Sequence, residues 1–180
     1  MDGTFKSRPL LFAQLYVFHY QYRDHVIPGI FVLMENRHQE TYAVLFNVIT
    51  NCLPANARSG PELFSVDFEM GAVNAFKETF PDSREAYCFF HLAQSLWRKL
   101  QGSGHAAAYL EEDNTELRLQ FHAIISICFV PPDDVPEAFR LLQENCLDEL
   151  DEVINHLEDY YVLGRRRGRG RRPPRYPIPS

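Results

Sequence analysis

The chain has 180 residues, 46% of them hydrophobic, and a formal net charge of −6. That content supports one well-packed domain with at most a small appendage, and no apolar run approaches the roughly 18 residues of a membrane span. The opening residues lack the basic, apolar and small-residue succession of a secretory signal, and an acidic bulk charge excludes nucleic-acid binding by the whole surface.

Met1-Asp2-Gly3-Thr4-Phe5 reads as the remnant of a first strand. Leu10–Tyr22 is aromatic and β-branched enough for a long strand, and His25–Met34 for another, with Pro28-Gly29 marking a bulge or an edge. The polar pair Arg23-Asp24 between them predicts an antiparallel hairpin. From Gln39 to Leu53 the period changes: Tyr42, Leu45, Phe46, Ile49 and Leu53 lie on one face of an amphipathic helix. Pro54 to Pro61 is a polar loop.

Leu63, Phe64 and Val66 form a short apolar run that delivers Asp67 at its C-terminal end. A helix follows with Ala72, Val73, Phe76 and Phe80 on one face; Pro81-Asp82-Ser83 turns the chain into a strand over Ala86–Phe90. The next helix begins at His91, carries Leu92, Leu96, Trp97 and Leu100, and stops near Gln101-Gly102-Ser103-Gly104. Beyond it the chain reads as helical: Thr115–Phe129, a segment capped by Pro131-Pro132-Asp133-Asp134, and Leu147–Val162.

The tail, Gly164–Ser180, has no periodicity and is predicted to be extended or disordered in isolation. Seven of the 18 Lys and Arg residues fall between Arg165 and Arg175, so the body carries 11 basic against 24 acidic residues. The four cysteines lie far apart, mostly in apolar stretches, which suits buried thiols in a reducing compartment better than a disulfide framework.

Three segments follow: an α/β core at 1–104, a helical block at 105–163 and the basic tail at 164–180. The core's order, β-β-β-α-β-α-β-α, is that of ribonuclease-H-like domains. The predicted fold is therefore a mixed α/β sheet with a truncated first strand and an inserted helical block.

Ligands of open α/β sheets collect at the carboxyl ends of strands, where Asp67 and Cys88-x-x-His91 fall. Asp67 reads as a metal-binding carboxylate or as a cap for the helix behind it, and Glu69 as a first-turn helix acid. Cys88 and His91 are half of a zinc set, or a strand thiol and a helix-start histidine; His105 and Cys128 are single candidates without supporting spacing. The arginine tail reads as a phosphate-binding segment, a nuclear-import signal or a solvated tail.

The chain also resembles the transposase domain of Mutator-like elements, a group often linked to FLYWCH zinc fingers. Met1–Lys6, Leu11–Tyr16, Ser65-Val66-Asp67-Phe68-Glu69, Cys88–Lys99, Phe129-Val130-Pro131-Pro132 and Arg175–Pro179 carry the resemblance, in order. It implies a DDE-type core, in which two aspartates and a glutamate hold two Mg²⁺ or Mn²⁺ ions that cut and join DNA. Asp2 then matches the first acid, Asp67 the second, and Cys88 with His91 the family's Cys-x-x-His.

The family's glutamate, in an Asn-Asn-x-x-Glu context, is expected beyond Ser180, so the chain is read as a fragment with little activity alone. Transposon-end DNA, bound through Arg165, Arg166, Arg167, Arg169, Arg171 and Arg172, is the implied partner, and a second copy of the chain is another. The implied location is nuclear, or cytoplasmic without import; no membrane and no small-molecule substrate are expected. The rival readings are a non-catalytic DNA-binding or assembly module, and a degenerate product without a stable role.

Overall fold

In the computed structural model of the chain, residues 2–4 are described as backbone and residues 8–176 and 178 in full; residues 1, 5–7, 177, 179 and 180 lie outside the description. The chain divides into two units, Met1–Cys88 and Phe89–Ser180.

In the first unit, β1 (Asp2–Thr4) runs antiparallel to β2 (Gln14–Tyr22), and β2 to β3 (His25–Met34). The hairpin closes through Arg23 and Asp24, with Arg23 at φ 53°. Its register slips between Phe18 and His19, where Ile30 and Pro28 are the successive partners and Gly29 is left over. This is the bulge expected at Pro28-Gly29, since proline has no N–H to give the ladder. The second strand begins at Gln14 rather than Leu10; residues before it turn, with Phe12 N–H donating to Pro9 O at 3.1 Å.

Helix α1 (Gln39–Cys52) then leads to β4 (Leu63–Val66), α2 (Met70–Thr79) and β5 (Arg84–Tyr87), with β4 and β5 parallel. Between them α1, α2 and the strands bury an aromatic core. Phe76 is its hub, with ring centroids 5.2 Å from Phe46, 4.0 Å from Phe64 and 4.8 Å from Phe80. Gly71 lets α2 start close to α1: a Cβ there would lie 3.2 Å from the Arg37 carbonyl oxygen.

The predicted single mixed sheet is observed as separate ladders, β1-β2-β3 and β4-β5, among the described residues. The class is mixed α/β, with small sheets and seven α-helices among those residues.

The second unit opens with α3 (Phe89–Gly102), which starts two residues before His91, and Gly104 follows its end at φ 87°. It continues through α4 (Ala106–Leu110), α5 (Thr115–Ser126), α6 (Val135–Glu144) and α7 (Asp151–Leu157). Leu92, Leu96 and Leu100 recur at helical spacing on the buried side of α3, so this helix belongs with the helical block rather than with the α/β core. Asn114 caps α5 by accepting from Leu117 N–H at 3.4 Å. Trp97, Tyr109 and Phe121 form an edge-to-face cluster, as core aromatics do.

A π-helical turn (Glu158–Val162) ends α7, and the tail folds back as a two-stranded ladder of β6 (Arg166–Arg167) and β7 (Gly170–Arg171). A short hairpin thus stands where a tail that is extended or disordered in isolation was expected. Its cause is non-local: Arg171 pairs with the buried carboxylate of Glu158, and Tyr176 N–H donates to Tyr160 O at 2.9 Å. Gly164 turns the chain at φ 80°, where a Cβ would collide with the Arg172 carbonyl oxygen.

The cysteines are all free, but Cys52 and Cys128 are exposed and Cys88 and Cys146 half-buried, rather than core thiols. Burial, with the charges of Asp151 and Asp148, pushes the Cys146 thiol up to about 11. No helix is long and apolar enough to cross a membrane.

Candidate functional site

Asp67 follows β4 directly and stands ahead of α2. Its Oδ1 accepts the Glu69 main-chain N–H at 3.2 Å, the side-chain-to-backbone turn that aspartate favours. That amide belongs to the N-cap residue and not to α2 itself, which has no side-chain cap, so Asp67 shapes the turn into the helix rather than capping it.

Glu69, at the N-cap of α2, is more than a helix-dipole acid. Its side chain is only 15% exposed, and Arg37 Nε lies 3.8 Å from Oε1. The hydroxyl of Tyr42, wholly buried on α1, donates to the same carboxylate and receives Gln14 Nε2 at 2.5 Å. Burial, followed by the Glu69 charge, holds the Tyr42 phenol far above its ordinary pKa, and the Asp67 charge adds to this. Tyr42 is therefore a committed donor at any ordinary pH.

Gln14 is fully buried at the start of β2, also 3.4 Å from Met34 Sδ, and its Oε1 has no hydrogen-bond partner among the described residues. A buried acceptor left unpaired costs about 1–3 kcal/mol.

Gln14, Arg37 and Tyr42 were missed in the sequence. The signals were faint: a glutamine opening an apolar strand, and a tyrosine on the apolar face of α1.

The backbone of Asp2 is in β1 opposite Val17, but its side chain lies outside the described residues, and with it the expected pairing to Asp67. Cys88 N–H donates to Val66 O at 2.9 Å at the end of the first unit, whereas His91 sits in the first turn of α3 in the second. Among the described residues no three of His, Cys, Asp and Glu gather closely enough to hold a metal ion.

The arginines divide into two sets. Arg171 is paired with Glu158 and also donates to Gly164 O at 2.8 Å; Arg165 Nε lies 3.3 Å from Asp159 Oδ2. Arg166, Arg167, Arg169 and Arg172 are exposed on and beside the hairpin. Guanidinium groups of this kind can contact phosphate oxygens.

A family model described as the MULE transposase domain matches residues 1–95, a segment that includes β1, Asp67 and the Cys88/His91 pair. No curated protein and no solved structure matches the chain.

Proposed function

Because this chain belongs to the MULE transposase domain family, we propose that it acts on transposon DNA through a divalent-ion site at the carboxyl end of β4. The family is one of transposases, and the substrate class follows from it: the ends of a DNA element. The observation that carries the reading is the placement of Asp67, at a strand end, anchored by the Glu69 amide within the matched segment.

Asp67 would hold Mg²⁺ or Mn²⁺ together with Asp2 of β1. Carboxylate oxygens are the hard donors these ions prefer, and Mg²⁺ is commonly bound by one or two carboxylates with several waters. Asp67 offers such a carboxylate at the strand end, while the Asp2 side chain lies outside the described residues. When bound, such an ion stabilises charge on a phosphoryl oxygen and lowers the pKa of a bound water or hydroxyl. The fold we assign is ribonuclease-H-like, supported by three antiparallel strands, a helix and a parallel β4–α2–β5 unit in order. Nuclear residence accords with DNA as substrate and with the arginine run.

The test is nicking of a plasmid carrying the element's terminal repeats, with Mn²⁺, by the wild-type chain and by Asp67→Asn. Mn²⁺-dependent nicking lost in the variant supports the reading. Nicking that persists unchanged overturns it.

A second reading is favoured by the exposed Arg166, Arg167, Arg169 and Arg172: a DNA-binding or assembly module without chemistry of its own. It predicts DNA binding that survives Asp67→Asn, falls when those arginines are replaced, and is accompanied by no nicking.

A further inference from the structure

We infer that Gln14, Tyr42 and Glu69 form a positioning relay for Asp67, with Arg37 steadying the relay's carboxylate. The inference rests on the reading of Asp67 as an ion ligand, and it names the residues that keep that ligand in place.

The members come from separate elements: Gln14 from β2, Arg37 from the loop before α1, Tyr42 from α1, and Glu69 from the start of α2. The donors run in one direction. Gln14 N–H donates to the Tyr42 oxygen, Tyr42 O–H to the Glu69 carboxylate, and the Glu69 main-chain N–H to Asp67 Oδ1. The residue whose amide grips Asp67 is thus itself gripped by its side chain. Tyr16 packs edge-on to Tyr42, at 5.2 Å between centroids, and Phe46 stacks on it. Apolar side chains would fill this aromatic surrounding more cheaply than an amide, a phenol and a carboxylate, so the polar chain has a purpose other than packing. Glu69 accepts the phenol and faces the Arg37 guanidinium, so its charge is compensated. It is built to hold rather than to ligate. Partners of this kind orient metal ligands, and their loss typically costs about 10–100-fold in metal affinity.

Mn²⁺ titration of the full chain, read by the electron paramagnetic resonance of free Mn²⁺, tests the relay without requiring catalysis. Asp67→Asn should abolish specific binding. Tyr42→Phe and Glu69→Ala should each raise Kd about tenfold or more. Glu69→Gln, which keeps an oxygen for Tyr42, should restore most of the affinity. Should Tyr42→Phe fail to fold, Glu69→Ala carries the test alone, because its side chain is at the edge of the core.

Unchanged binding in Asp67→Asn would remove the ion reading and the relay with it. Loss in Asp67→Asn with wild-type Kd in both Tyr42→Phe and Glu69→Ala would overturn the relay alone. Equal damage from Glu69→Gln and Glu69→Ala would overturn it in favour of direct ligation by Glu69.

Discussion

Arg171 donates to the carboxylate of Glu158, so a residue of the basic tail helps close the core of the second unit. Among the described residues Glu158 is the one charged residue that is buried, and it also receives Gln143 Nε2 at 3.4 Å. The tail is thereby part structure and part contact surface.

Breaking a buried pair from one side costs about 3–5 kcal/mol when burial is complete. The Arg171 side chain remains 29% exposed, so water repays part of the loss. Arg171→Ala should lower stability by about 2 kcal/mol. Urea unfolding followed by the fluorescence of Trp97, the chain's single tryptophan, measures it in the same unit.

DNA binding should be shallower in salt than a count of seven arginines implies. With Arg165 and Arg171 engaged internally and Arg175 lying over the Tyr176 ring, four exposed guanidiniums remain on and beside the hairpin. The slope of log K against log salt should be about −3.6, at about −0.9 per phosphate contact. Fluorescence anisotropy with duplex DNA gives the slope. Replacing Arg166 alone should reduce it by about one.

Phe76 touches three other rings and is almost wholly buried. Phe76→Ala should cost about 3–5 kcal/mol and, in a core this aromatic, leave a cavity that does not close. Loss of far-UV circular dichroism at lower urea, with Phe76→Leu intermediate, is the expected result.

His156 should make the second unit acid-sensitive. Burial first, and then the Lys99 charge, lower its pKa below the ordinary histidine value, while Asp159 opposes them. Its Nε2 lies 3.0 Å from Ser95 Oγ, which also accepts from Tyr161 O–H at 3.1 Å. Because the unfolded chain binds this proton more readily, the stabilisation is complete above the unfolded pKa of about 6.5 and is lost as pH falls through the folded value. His156→Asn should flatten that decline. Urea midpoints measured from pH 7.5 down to pH 5 decide it.

Local pattern was enough where a segment's own side chains decide its state. His25–Met34 is observed with its expected ends, and α1 ends one residue short of its expected limit because Leu53 already has extended backbone. Ala106–Leu110 was not legible, since its run of alanines has no apolar period to read. The strand expected to reach Phe90 stops at Tyr87, because Phe89 and Phe90 already lie in α3. Asp67 was singled out by its place after an apolar run, and the structure puts it directly after β4. Glu69 was read as a helix-start acid because its partners Tyr42 and Arg37 arrive from a distant part of the chain. The arginine hairpin was hidden for the same reason: its anchor, Glu158, belongs to another element.

Gly71 gives the first unit an unusually narrow tolerance. Where its hydrogen meets the Arg37 carbonyl, a methyl would force the starts of α1 and α2 apart by a few tenths of an ångström. The hydrogen bond from Tyr42 to Glu69 also joins α1 to the start of α2, and such bonds weaken steeply with poor alignment. The absence of one carbon atom therefore acts as a gauge block for the spacing between the starts of α1 and α2.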